Sequence, residues 1–282
     1  MDQKYIKLFD TYTHGGMNRR DFLDKLKMMA GAAAVMPILA QLENNYAHAD
    51  TVAADDPRLV TKTIEILPDI SGLLAMPKDH KGKLGGVMVI HENRGLNPHI
   101  KDIVRRIALE GFVVFGTDYL SLAGGTPADE DKARDMISQL KPEDIDATSL
   151  DVRDALSQYK GVNGKVGAVG FCWGGGYVNS LAVQDPKLNA GVAYYGLQPP
   201  VADVPKIKAP LLLHYAGLDD RVNAGMKDFE AALKAGKKTY ELYVYDGVNH
   251  AFNNDTNPAR YDKKAADLAW GRTIGWFKKY LA

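Results

Sequence analysis

Hydrophobic residues along this chain change their period several times, and each change marks an element. Residues 60–66 (VTKTIEI) alternate apolar and polar, and residues 71–76 follow after Pro68 and Asp69, a pattern that predicts an entry hairpin of antiparallel edge strands. Residues 84–90 (LGGVMVI) and 112–117 (FVVFGT) are short, nearly continuous apolar runs of the kind buried on both faces of a parallel sheet. Between them Ile100, Ile103, Val104, Ile107 and Ala108 recur at helical spacing within residues 98–110, and Gly111 stops the helix. The alternation then repeats, with helices near 130–140 and 145–159, a strand at 165–171 and a helix from Gly174. Strands at 190–195 and 210–215, a helix at 226–235, a strand at 239–245 and a last helix at 258–280 complete it. Alternation on this scale predicts an α/β fold, a doubly wound, mostly parallel sheet with helices on both faces. In such sheets sites lie beyond the carboxyl ends of the strands. No repeat or Pro/Ser-rich linker interrupts the pattern, so residues 50–282 read as one domain.

Composition narrows the class. The 282 residues are 46% hydrophobic and 25% charged, which excludes disordered, collagenous and coiled-coil chains. Thirty-five Lys+Arg balance thirty-five Asp+Glu, so the basic footprint that phosphate neutralisation requires is missing and nucleic acid is not an expected partner. Cys172 is the single cysteine, which excludes an intrachain disulfide and a multi-cysteine zinc site.

The first 49 residues read as an address. Arg19 and Arg20 stand in MNRRDFL, and the basic stretch continues through Lys25 and Lys27. Residues 28–40 (MMAGAAAVMPILA) carry no charge; they are too short for the roughly 20 residues that span a bilayer core and fit a signal-peptide apolar region. Ala47-His48-Ala49 is a small-x-small cleavage pattern. Residues 1–49 are therefore expected to be a twin-arginine signal peptide cleaved after Ala49, with the export machinery and signal peptidase as partners. No stable membrane anchor and a periplasmic or secreted product are expected. The long lead before Arg19 leaves Met17 as an alternative start. His14 and His48 are assigned to this leader.

Chemistry concentrates at predicted strand ends. Residues 165–171 run into Gly170-Phe171-Cys172-Trp173-Gly174, a Gly-x-nucleophile-x-Gly pattern with Cys as the central residue. A sharp strand-to-helix turn strains that residue and leaves no room for flanking side chains. The thiol then sits at a helix N-terminus, which favours thiolate, and the backbone N–H of Trp173 is placed to bind an oxyanion. Asp219, with Asp220 as its neighbouring alternative, follows the strand at 210–215, and His250 follows the next strand. Nucleophile, acid, histidine is the chain order of α/β-hydrolases. His-Glu-Asn-Arg-Gly-Leu at 91–96 follows LGGVMVI, where the N–H of Asn93 is a second oxyanion donor and Glu92 a carboxylate beside the thiol. His214 lies inside an apolar strand and reads as a satisfied core residue.

On HENRGL around Glu92, GFCWGGG around Cys172, AGLDDRV around Asp219 and NHAF around His250, the chain resembles the dienelactone hydrolase (carboxymethylenebutenolidase) family over residues 60–281. The resemblance implies an α/β-hydrolase fold, Cys172 as nucleophile, His250 as general base and acid, and Asp219 as its orienting partner. It also implies Glu92 as the carboxylate controlling the thiol, with Trp173 and Asn93 N–H as oxyanion hole and no cofactor or metal. Two arginines that hold the dienelactone carboxylate in the family have no match, in residues 118–124 or in residues 250–254. Two charge-assisted contacts of about 1.5–3 kcal/mol each are lost, so another ester or lactone is the expected substrate. Arg94 or Arg221 is a replacement charge. Two rivals share the fold: a thiol redox or adduct-forming protein, and a ligand-binding module without turnover.

Overall fold

The computed structural model describes residues 1–48 and 51–282, so the expected cleavage point between Ala49 and Asp50 lies outside the described residues. The chain opens with helices α1 (Gln3–Thr13), α2 (Arg19–Ala30) and α3 (Val35–Leu42). Strands β1 (Leu59–Leu67), β2 (Ile70–Pro77) and β3 (Leu84–Ile90) follow, then α4 (Pro98–Leu109), β4 (Val113–Thr117), α5 (Glu130–Ser138) and α6 (Pro142–Ser157). After β5 (Val162–Phe171) come α7 (Trp173–Gln184), β6 (Ala190–Tyr194), β7 (Leu211–Ala216), the one-turn α8 (Asp220–Asn223), α9 (Met226–Ala235), β8 (Tyr240–Tyr245) and α10 (Lys263–Leu281).

The strands form one eight-stranded sheet in the order β1-β2-β4-β3-β5-β6-β7-β8. β1 and β2 pair antiparallel, β2 joins β4 antiparallel, and every neighbouring pair from β4 to β8 is parallel. Side chains of successive strand residues leave opposite faces, and two cores result. Val87 and Val89 of β3 pack with Ile100, Ile103 and Ile107 of α4 and with Ile274 and Phe277 of α10. Met88 and Ile90 of the same strand pack with Val152 of α6, Leu181 of α7 and Phe229 of α9. Helices thus cover both faces, as the alternation predicts. The strand order reverses at β3, between β4 and β5, and a crevice opens beyond the carboxyl ends of β3 and β5.

One expectation needs correction. The last helix begins at Lys263, capped by the Asp262 carboxylate accepting from Ala265 N–H, not at Pro258. Residues 253–262 instead form a polar loop in which Asn254 and Asn257 are buried and hydrogen-bonded. Residues 1–48 fold against the domain. Ile6, Phe9, Tyr12, Phe22, Leu26, Leu39 and Leu42 form a small core of their own, to which Ala259 of the polar loop adds. The seam is bonded: Asn45 N–H donates to Thr256 O (2.7 Å), Arg260 pairs with Asp10 (3.0 Å), and Arg19 pairs with Asp131 (2.6 Å). The uncharged stretch 28–40 is divided between the end of α2, a short 3₁₀ turn and α3. No helix among the described residues is long and apolar enough to cross a membrane.

Candidate active site

Strand β5 ends one residue before Cys172, which turns the chain into α7 with φ 56° and ψ −113°. For a residue with a Cβ this is a sparsely populated, strained conformation. The turn closes because Gly170 and Gly174 lack side chains. A Cβ on Gly170 would stand 2.1 Å from the Gly174 carbonyl oxygen, and one on Gly174 would stand 2.3 Å from that of Ile90. Cys172 N–H donates to Tyr194 O (3.0 Å), which locks the turn to β6. Trp173, the first residue of α7, stacks its ring on His91 with centroids 5.3 Å apart, so the residues after β3 and after β5 hold one another.

His250 and Asp219 meet here. Asp219 follows β7 and caps α8, its Oδ1 accepting from Val222 N–H (3.2 Å), while its Oδ2 accepts from His250 Nδ1 at 2.5 Å. Asp220, the alternative, is exposed and pairs with Lys7 (3.2 Å). With Nδ1–H donating to the carboxylate, Nε2 of His250 is left on the side of the sulfur and has no hydrogen-bond partner among the described residues. The electrostatics follow. Burial works against the thiolate, but the positive fields of His250 and His14 outweigh it and lower the Cys172 thiol to about 5. Burial also disfavours a charged His250; the Cys172 and Asp219 charges overcome it and raise the imidazole to about 10. Asp219 stays below the usual carboxylate range, its burial outweighed by His250.

Glu92 is buried just past β3, its Oε2 accepting from Asn254 Nδ2 (3.0 Å) and its Oε1 without a partner. It lines a small cleft together with Cys172 and His250. Asn93, in the same loop, donates its side-chain amide to Thr13 O (2.8 Å). His214 is fully buried, bonded to Tyr245 and Thr273, in keeping with the core role expected of it.

His14 is the residue that sequence reasoning missed. It follows α1, and its Nε2 lies 3.4 Å from Cys172 Sγ. Its ring meets that of His250 edge-on, with centroids 4.8 Å apart. The signal was present in the lead before Arg19: Ile6, Phe9 and Tyr12 form an apolar stripe at helical spacing, and Gly15-Gly16 follow at its end, a pattern alien to a signal-peptide n-region. His14, Cys172 and His250 bring one donor atom each within 4.8 Å of the others.

A cavity of about 890 Å³ opens onto Cys172, lined by Tyr12, Ile137, Trp173, Tyr177, Leu197 and Arg221 among others. Arg94 is not on this wall; it is buried and paired with Glu130.

The family model for dienelactone hydrolases matches residues 70–281. The chain belongs to the dienelactone hydrolase family. A protein of Escherichia coli named "Putative carboxymethylenebutenolidase" is 33% identical over 221 residues, 73% of this chain and 81% of that one. A Methylorubrum extorquens protein of the same name is 29% identical over 284 residues, 94% of each chain. The crystal structure of a "Putative Dienelactone Hydrolase" from Klebsiella pneumoniae superposes with a TM-score of 0.70 at 28% identity, covering 79% of this chain and 99% of that one. Residues 1–31 match a second family model, described as YqhI-like. As a dienelactone hydrolase family member the protein is a hydrolase of the α/β-hydrolase fold, and its N-terminal helices lie outside the stretch that the dienelactone hydrolase model matches.

Proposed function

We propose that the protein opens an ester or lactone through a thioester acyl-enzyme formed on Cys172. The observation that carries this reading is the His250–Asp219 bond of 2.5 Å behind an imidazole that brings a nitrogen within 4.8 Å of Cys172 Sγ. Cys172 Sγ⁻ adds to the carbonyl carbon, and the oxyanion takes hydrogen bonds from the N–H groups of Trp173 and Asn93. Collapse breaks the C–O bond, and His250 gives its proton to the departing alkoxide. Neutral His250 then takes a proton from water, hydroxide adds to the thioester, and the carboxylic acid leaves with Cys172 restored as thiolate. Asp219 holds the imidazole tautomer, and Glu92 is the carboxylate that tempers the thiol's charge. Nothing in this cycle calls on a metal or cofactor.

The lining of Tyr12, Trp173, Tyr177 and Leu197 suits an apolar or aromatic acyl group, with Arg221 as the charge available to a substrate carboxylate. The purified full chain assayed on p-nitrophenyl esters and small lactones tests the reading. Turnover with a mass increment on Cys172, absent in Cys172→Ala, is the expected result. No turnover, with Cys172 still alkylated readily by iodoacetamide, would turn the assignment to thiol adduct chemistry.

Export is part of the proposal. Arg19-Arg20, the uncharged residues 28–40 and Ala47-His48-Ala49 support a twin-arginine route to the periplasm or beyond. Peptide mapping of the protein from periplasmic extract is expected to find a free N-terminus at Asp50; Met1 there would sink the cleavage.

A further inference from the structure

Among the described residues, the thiol of Cys172 faces two imidazoles. One belongs to the strand-end site; the other, His14, arrives from outside the stretch that the dienelactone hydrolase model matches. Its tautomer is fixed by its second contact. Nδ1 lies 2.7 Å from the Asp10 carbonyl oxygen, which can only accept, so Nδ1 carries a hydrogen and Nε2, facing Sγ, is the nitrogen that takes the thiol's proton. The arrangement parallels that of His250, with a backbone carbonyl in the place of Asp219.

The docking is specific. Asp10, one turn before His14, is held by Arg260 (3.0 Å), and Thr13 O accepts from Asn93 in the loop that carries Glu92. Gln3 donates to Asn249, the neighbour of His250. Phe9 is clamped between Arg94 and Arg260, whose guanidiniums lie 5.8 and 5.2 Å from its ring centroid. The segment does not plug the site, because Tyr12, His14 and Met17 form one wall of the cavity that still reaches Cys172. It builds the pocket.

We propose that His14 is a catalytic residue of this hydrolase, a second acid–base imidazole that takes the Cys172 proton, so that the active site is complete only while residues 1–48 are docked. The inference rests on the hydrolase reading for the fate of the proton. The Sγ–H bond breaks as Nε2–H forms on His14, which keeps that proton through the cycle; attack on the ester forms S–C, the C–O bond breaks, and the departing alkoxide takes the His250 proton. Other groups at the sulfur are His250 with Asp219 behind it, Glu92 and Arg94 from the β3 loop, Tyr195 after β6, and Arg260 of the polar loop. Of these, His250 alone is an imidazole, and it already holds its proton at neutral pH. Cleavage after Ala49 would remove His14, so precursor and exported product would differ in thiol reactivity.

The test measures iodoacetamide alkylation of Cys172 against pH in the full chain, a readout independent of ester turnover. His14→Phe keeps a ring against His250 and removes both nitrogens. Its alkylation is expected to be about tenfold slower than wild type below pH 5, where the thiol is mostly protonated and each unit by which its ionisation moves is tenfold in thiolate, and to converge with wild type at alkaline pH. Added imidazole is expected to restore the rate in His14→Ala by occupying the vacated space, a rescue that a merely structural role would not give. Circular dichroism and melting confirm that each variant is folded, and rescue itself requires a folded site. A wild-type pH profile in folded His14→Phe, or no rescue of folded His14→Ala, overturns the proposal. A His14-dependent profile in a protein with no ester turnover overturns the hydrolytic reading and leaves this one standing.

Discussion

The two imidazoles at Cys172 reach it by different routes. His250 is delivered by the sheet: it follows β8, its partner Asp219 follows β7, and the thiol follows β5, so the parallel run from β5 through β6 and β7 to β8, with its fixed register, sets the geometry. His14 is delivered by a separate helical layer whose seven-residue core is built from α1, α2 and α3. Backbone hydrogen bonds of the central sheet hold the first set, and its local opening costs as much as global unfolding. Side-chain pairs and a few backbone contacts hold the second, which can open alone. A site assembled from both has a fixed half and a removable half.

The fixed half gives the larger effect. Asp219→Asn is expected to lower kcat/KM by about 10³–10⁴-fold with the fold intact, because the amide no longer enforces the His250 tautomer or balances its charge. Its pH dependence sharpens the point. In wild type the rate rises as the pH climbs through about 5, where Cys172 becomes thiolate, and falls near about 10, where His250 loses the proton it owes the leaving group. These limbs belong to the coupled pair. Asp219 is one of the charges raising His250, so its removal moves the falling limb to lower pH. Stopped-flow or steady-state profiles read the shift, and an unmoved falling limb would break the assignment of Asp219.

Strand ends are legible in a sequence because burial on both faces writes itself as apolar runs, and a nucleophile turn writes itself as glycines. Gly170 and Gly174 are visible before any coordinates, since their positions admit no Cβ. Asp219 was separable from Asp220 by motif spacing, and the structure separates them by burial. His14 was not separable. A basic pair, an uncharged stretch and Ala-x-Ala dominate the first 49 residues, and they are read by composition, whereas the contact of His14 with Cys172 spans 158 positions. Nor could Arg94 and Arg221 be ranked as charges for substrate. That required seeing Arg94 spent on Glu130 and Arg221 on the cavity wall.

The removable half gives the smaller effect, and Phe9→Ala isolates it. Phe9 is 1% exposed, packs edge-on to Phe22 with centroids 5.8 Å apart, and meets the Arg94 and Arg260 guanidiniums at the seam with the domain. Truncation removes a buried ring of the kind worth about 3–5 kcal/mol, and here that loss falls on the docking of α1 and α2. Hydrogen exchange is therefore expected to quicken in residues 1–48 while β3, β5 and β6 keep their protection and the main melting transition stays near its wild-type value. Alkylation of Cys172 below pH 5 should slow to the level of His14→Phe and no further, because undocking withdraws one imidazole and leaves His250 and Asp219 in place. A loss of protection that spreads into the sheet would mean that the two regions fold as one unit, and the division of the site into a fixed and a removable half would fail.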